Sequence, residues 1–164
     1  MRLCYLIAIL FYMNNINYSK NTIFDHALSN LSKYDFFEKP LKNHIPKKDV
    51  IPYEIASPLF CDYAEKMRFI KVPDGSKILL DDENNFIYPE NTYLIKTFYY
   101  YSDIRDQHSK KHITETRILK NTSEGWLSFP YFWNENQTDA KLNLAGARIS
   151  ASWTHFDGNP IEIL

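Results

Sequence analysis

The fold of this chain is decided by two neighbouring segments, YLIKTFYYY at positions 93–101 and HITETRILK at positions 112–120. Both are rich in aromatic and β-branched residues, which favour strands, and neither contains glycine or proline. Side chains alternate across a strand, so Lys96 lies on one face of the first segment while Ile95 and Thr97 lie on the other. We therefore predict two strands at the centre of an antiparallel sheet.

Shorter strand-like segments surround this central pair. They occupy residues 67–72, 77–80, 126–133, 147–153 and 161–164. Glycine, asparagine or aspartate between them can supply the backbone angles of tight reversals. Because no helical pattern separates these segments, we predict an all-β domain over residues 59–164, mainly an antiparallel sandwich or a partly open barrel.

The first twenty residues have the layout of a signal peptide. Met1 and Arg2 precede an apolar run from Leu3 to Met13, and a polar stretch follows. The run is too short to span a bilayer as a helix, so we expect export to the periplasm or cell surface without a permanent membrane span. The alternative is a hydrophobic strand or helix of a cytosolic protein.

Residues 21–58 form a second region, which we predict to contain a short helix and a proline-rich wrap. Phe24, Ala27, Leu28 and Leu31 have the spacing of one helical stripe. Four prolines then follow between positions 39 and 58, so regular structure is not expected there. This part is predicted to be an ordered wrap or a linker.

Composition excludes several classes of function. The 19 basic and 20 acidic residues give a net charge of -1, so bulk charge gives no reason to expect nucleic-acid binding. The two cysteines, Cys4 and Cys61, cannot build a Cys4 zinc site, and neither begins a C-x-x-C-H haem motif. No nucleophile with a nearby base is indicated, so no enzymatic activity is predicted.

Three charged residues lie among apolar neighbours on the central strands. If the two faces coincide, Lys96, Glu115 and Arg117 form a partly buried ion cluster, which must be paired to avoid a large desolvation penalty. A structural ion network is one interpretation. The alternatives are a solvated face, with Ile95 and Thr97 on the core side, or a ligand site.

An aromatic segment that runs into a polar loop is a candidate carbohydrate site. Its residues are Trp126, Tyr131, Trp133, Asn134 and Gln137. Aromatic rings stack on the C–H faces of sugars while amides bond to hydroxyl groups. The same residues also suit a buried aromatic cluster followed by a tight turn that Asn134 caps, and this interpretation is favoured.

A metal site is not predicted. His108 and His112 are four residues apart, which would place them on one side of a helix. They lie in a charged loop that leads into a strand, and no third ligand has a supporting spacing.

Several motifs, in order, resemble one exported bacterial family. They are VIPYEIASPLFCDYA (50–64), RFI (68–70), PDG (73–75), IKTFYY (95–100), ETRIL (115–119), GW (125–126), PYFWNENQTDA (130–140), AGAR (145–148) and SW (152–153). The family is that of uncharacterised diheme c-type-cytochrome-like proteins, often encoded beside parallel β-helix proteins. The resemblance covers residues 31–164, and Cys61 stands where relatives tend to carry serine.

The resemblance implies a periplasmic or surface setting tied to electron transfer or polysaccharide metabolism. In the family a C-x-x-C-H motif follows the β module, so c-type haem is expected only in such a downstream part and no cofactor is expected in this chain. The resemblance therefore implies an accessory or recognition module that docks a c-type cytochrome domain or another redox partner protein. A polysaccharide-binding module and a truncated fragment with no independent activity are the alternatives.

Overall fold

A computed structural model describes residues 25–57 and 59–163. Two short 3-10 helices, Leu31–Tyr34 and Leu41–Asn43, come before the strands. The strands of the described residues are β1 (Val50–Pro52), β2 (Glu65–Lys71), β3 (Leu79–Leu80), β4 (Phe86–Ile87), β5 (Tyr93–Tyr101), β6 (Lys111–Thr122), β7 (Gly125–Trp133), β8 (Ala140–Leu142), β9 (Ala151–Thr154) and β10 (Pro160–Ile163).

Six of these strands form one antiparallel sheet in the order β1-β2-β5-β6-β7-β8. The sheet is open, with β1 and β8 at its edges. The pairs β3–β4 and β9–β10 form two separate hairpins. The predicted all-β, mainly antiparallel fold class is confirmed.

The long central strands agree best with the sequence prediction. β5 begins and ends at the predicted residues, because its composition and the flanking turns both mark its ends. Three short strands, β1, β4 and β8, were not predicted. They have only two or three residues each, which is too few for an alternating pattern to be recognised.

One face of the six-stranded sheet carries the main core. Ile95, Ile118 and Phe129, on three adjacent strands, have no exposed surface. Residues 31–50, here called the N-terminal wrap, cover this face. The wrap contributes the buried side chains of Leu31, Phe36, Phe37, Leu41 and Val50.

The N-terminal wrap is attached to the sheet by polar contacts as well as by packing. Asp139, just before β8, accepts hydrogen bonds from Ser32 N at 3.0 Å and from Ser32 Oγ at 2.7 Å. Asn30 Nδ2 donates to the same carboxylate at 3.1 Å. Residues 1–24 lie outside the described part, and with them the predicted signal peptide and the first residue of the predicted helical stripe. The predicted helix is not formed over the described part of the stripe: Ala27 and Leu28 are not helical, and Leu31 only begins a four-residue 3-10 helix.

The opposite face of the sheet is covered only in part. A smaller apolar cluster lies at one end, where Trp153 of β9 stacks on Tyr100 of β5 with ring centroids 5.1 Å apart. Away from this end the face carries charged side chains. No helix among the described residues is long and apolar enough to cross a membrane.

Candidate functional site

Four cationic side chains lie on this partly covered face, and we call them the cationic face: Lys66, Arg68, Lys96 and Arg117. Register places three of them side by side, because Arg68 on β2 is opposite Lys96 on β5, and Lys96 is opposite Arg117 on β6. Lys66 lies two residues before Arg68 and therefore on the same side of the strand. Cross-strand partners of this kind have Cβ atoms about 5 Å apart.

Lys96 is at the centre of this row. Within the described ranges, no carboxylate lies at salt-bridge distance from its Nζ atom. Burial lowers the pKa of Lys96, and the positive charges of Arg117, Arg68 and Lys66 lower it further. Like charges opposite each other destabilise a sheet, so this arrangement does not exist to stabilise the fold.

Two of the cations, Lys96 and Arg117, lie over the aromatic ring of Phe98. Lys96 Nζ lies 5.1 Å and Arg117 Cζ 5.0 Å from its centroid. Cation–π attraction of this kind offsets part of the repulsion between the two positive charges. Phe98 thus holds both cations at the surface of the sheet without neutralising them.

Arg117 also has a carboxylate partner. Glu115 Oε1 accepts from Arg117 Nε at 2.6 Å, and Oε2 accepts from Nη2 at 3.0 Å. These bonds raise the pKa of Arg117. The Arg117 side chain keeps 48% of its surface exposed, so it can still contact a ligand from solvent.

Arg68 is the most deeply placed of the four cations. Its side chain is only 8% exposed, and its carboxylate partner, Glu54, lies at 3.5 Å with 83% of its own side chain in solvent. A buried guanidinium with one distant partner keeps much of its desolvation penalty. An added anion would therefore be favourable here as well as at Lys96.

The predicted ion cluster thus lies together on one face, but its pairing differs from the prediction. Glu115 and Arg117 form a bidentate ion pair, whereas Lys96 joins a row of like charges. The alternative assignment of Ile95 and Thr97 to the core side agrees with their complete burial. Lys66 and Arg68 were not among the predicted site residues. Their alternation in EKMRFIK predicts a polar face, but only the pairing register places that face beside Lys96.

The predicted aromatic platform is not formed. Tyr131 has no exposed surface and Trp133 only 7%, because both lie on the core side of β7. The Tyr131 hydroxyl donates to Leu28 O at 2.7 Å and bonds to the hydroxyl of Tyr34. Neither ring can stack on a sugar at the surface.

Trp133 belongs instead to a chain of buried hydrogen bonds. Its Nε1 donates to Thr116 Oγ1 at 3.0 Å, Thr116 bonds to Thr97 at 2.7 Å, and Thr97 bonds to His44 Nε2 at 3.0 Å. His44 Nδ1 lies 3.3 Å from Lys42 O, which can only accept, so Nδ1 carries a proton. Burial lowers the pKa of His44 to about 4.

The other residues of the predicted carbohydrate site are separated from the buried rings. Asn134 caps its own loop through Thr138, as the favoured turn interpretation expects. The Gln137 amide bonds to both the N–H and the carbonyl of Ile113, at 2.7 and 2.9 Å. Trp126 is 39% exposed at the far end of β7, where its ring meets Tyr88. These five residues do not converge on one surface.

A cleft of about 750 Å³ lies beside this loop. Gln137 lines the cleft but is bonded to the backbone of β6, and Lys111 lies over the ring of Tyr99 at 4.8 Å. His108 lines it as well, but among the described residues no group of three potential metal ligands occurs. This cleft therefore gives a weaker reason to expect a ligand than the cationic face does.

Comparison of the chain with protein-family models, with curated proteins and with solved structures gave no match.

Proposed function

We propose that this chain is a recognition module that docks an acidic surface of a c-type cytochrome domain or related redox partner on its cationic face. The observation that carries the proposal is the position of Lys96, which lies between Arg68 and Arg117 without an acidic partner among the described residues. The resemblance to the diheme c-type-cytochrome-like family supports a haem-bearing protein as that partner.

The chemistry of the face favours a protein surface over a small ligand. Its cations extend over three adjacent strands, so one partner must present several carboxylates at matching spacing. Complementary charge of this kind steers encounter and fixes orientation. The half-buried ring of Phe132 on β7 lies on the same side, opposite Glu115, and adds apolar contact area at the edge of the face.

Titration of the full chain with an acidic c-type cytochrome tests this function. We expect Lys96→Glu to weaken binding by about tenfold or more, because it places a negative charge opposite the partner's carboxylates. Lys48→Glu, at an exposed lysine of the N-terminal wrap, changes the net charge equally and is expected to leave binding unchanged. A basic cytochrome of similar size is the partner control.

Two results would contradict the proposal. One is binding of acidic and basic cytochromes with equal affinity. The other is an equal loss of affinity in Lys96→Glu and Lys48→Glu, because that would show a response to net charge instead of to the cationic face.

A further inference from the structure

The β3–β4 hairpin exposes apolar side chains on both of its sides. Leu79 pairs with Ile87 and Leu80 pairs with Phe86. All four are exposed, from 50% for Ile87 to 64% for Phe86. Exposed apolar patches of this kind mark interaction sites, and this hairpin is here called the apolar hairpin.

The tip of the apolar hairpin is acidic and has a fixed shape. Asp81 Oδ1 accepts from the backbone N–H groups of Glu83 and Asn85 at 2.9 and 2.8 Å, and Oδ2 accepts from Asn85 Nδ2 at 3.0 Å. These bonds leave the carboxylates of Asp82 and Glu83 exposed beside the apolar residues. An acidic tip disfavours insertion at an anionic lipid surface and favours a partner with positive charge.

The base of the apolar hairpin is fixed at one end of the main sheet. Asn121 Nδ2 donates to Tyr88 O at 2.8 Å, and the rings of Tyr88 and Trp126 meet at 5.3 Å. Asn121 belongs to the last residues of β6 and therefore lies beside the first residues of β5. The hairpin is thus held in place although its own side chains remain uncovered.

A complementary surface lies at the other end of the same sheet. A cleft of about 350 Å³, here called the end cleft, is lined by the apolar side chains of Leu59, Phe60, Tyr63, Tyr101, Ile104 and Phe156. Leu59, Phe60 and Phe156 are 82%, 68% and 63% exposed. Two charged residues also line the end cleft: Glu65, and Lys66, which connects it to the cationic face.

The hairpin cannot occupy the end cleft of its own chain. Tyr101, which lines the end cleft, is the last residue of β5, whereas the hairpin base lies near Tyr93, its first residue. Nine strand residues separate these ends by about 26 Å at 3.3 Å per step. Phe86 is only two residues from Tyr88, so it can lie no more than about 7 Å from the base.

We infer that the apolar hairpin of one molecule docks in the end cleft of a second copy of this chain, giving head-to-tail self-association. Apolar side chains meet apolar side chains in this contact, and the acidic tip lies beside Lys66 and the cationic face. Because the two surfaces are different, the contact is heterologous and continues into a chain or closes into a ring. The inference rests on the proposed function in that both use positive charge at the cationic face.

Sedimentation velocity of the full chain over a range of concentrations tests this inference with two variants. The hairpin variant is Leu80→Asp with Phe86→Asp, and the cleft variant is Phe60→Asp with Phe156→Asp. All four positions are exposed, so both variants are expected to fold, which circular dichroism checks. Ile51→Asp, at an apolar residue of β1 that is 57% exposed, is the matched control.

We expect the wild-type chain and Ile51→Asp to associate, and each double variant to lose at least about 100-fold in association constant. A mixture of the two variants should form a one-to-one dimer that goes no further, because one keeps its cleft and the other keeps its hairpin. A monomeric wild-type chain, or a mixture that remains monomeric, would overturn the inference.

Titration of the hairpin variant with the acidic cytochrome separates this inference from the proposed function. The variant keeps its cationic face and should bind the cytochrome. If it binds while the wild-type chain does not self-associate, only the self-association is wrong. If neither the variant nor the wild-type chain binds the cytochrome, the proposed function is wrong, whatever the sedimentation result shows about self-association.

Discussion

On one face of the six-stranded sheet, Ile95, Ile118 and Phe129 have no exposed surface and lie beneath the N-terminal wrap. On the other face, Lys96 and Arg117 are directly opposite each other and in contact with solvent. The first arrangement buries apolar area, which stabilises folding. The second places like charges together, which opposes folding. One face of this sheet therefore stabilises the fold, while the other carries unbalanced positive charge that folding does not require.

The two faces should differ most in the loss of stability when a phenylalanine of β7 is replaced by alanine. Phe129→Ala removes a ring with no exposed surface and should lower the free energy of unfolding by about 3–5 kcal/mol. Phe132→Ala acts on a half-buried ring of the opposite face and should cost no more than about 2 kcal/mol. Urea unfolding of both variants measures this, and equal losses would contradict the assignment of the faces.

The buried histidine of the core face predicts a pH dependence. Folding lowers the pKa of His44 from 6.5 to about 4, so the folded state favours the neutral ring. The contribution of neutral His44 to the free energy of unfolding is complete above pH 6.5. It is lost as the pH falls from 6.5 to 4, because the histidine of the unfolded chain takes up a proton first. The loss reaches about 3 kcal/mol.

Unfolding of wild-type protein and His44→Gln across this pH range measures the contribution of His44. Carboxylates that titrate in the same interval act on both proteins, so the difference in slope isolates the histidine. Parallel curves would show that His44 is not held neutral.

The attachment of the N-terminal wrap is tested at Asp139. Asp139→Ala removes the acceptor for Ser32 and Asn30 and should lower the free energy of unfolding by about 2 kcal/mol. Asp106→Ala, which removes an acceptor for the exposed N–H of His108, is the control and should change it by less than about 0.5 kcal/mol. If the two variants are equally stable, the wrap does not depend on this contact.

The smallest expected effect on stability is at the centre of the cationic face. Lys96→Met should change the free energy of unfolding by less than about 0.5 kcal/mol, because Glu115 is paired with Arg117 and is not left alone. We expect a small increase in the free energy of unfolding, because the substitution removes the repulsion of Lys96 with Arg68 and Arg117. A loss of several kcal/mol in thermal or urea unfolding would show that Lys96 is a structural partner of Glu115.

Sequence could predict the fold class because β5 and β6 are long, alternate clearly and end at strong turn signals. It could not assign the faces of β7, because Phe129, Tyr131, Phe132 and Trp133 put aromatic residues on both sides of the strand. Alternation then carries no information about burial, so Tyr131 and Trp133 were candidates both for a carbohydrate site and for the favoured buried aromatic cluster, and their burial agrees with the second.

The candidate site could be predicted only in part, for a related reason. The sequence placed Lys96, Glu115 and Arg117 on neighbouring strands, but the register with β2 brings in Arg68 and Lys66 from thirty residues earlier in the chain. Pairing between distant strands depends on tertiary packing and is not encoded locally. The row of like charges is therefore visible only in the folded sheet.

The proposal that an acidic c-type cytochrome docks on the cationic face is tested most directly by paramagnetic broadening of methyl signals in NMR spectra. Leu144 lines a cleft with Glu115 and Arg117 and is 41% exposed, whereas Ile45 is 52% exposed on the N-terminal wrap. An oxidised acidic c-type cytochrome, added to methyl-labelled protein, should broaden the methyl signals of Leu144 far more than those of Ile45, because docking brings the haem iron to the cationic face. Equal broadening of both residues, or stronger broadening at Ile45, would contradict the account.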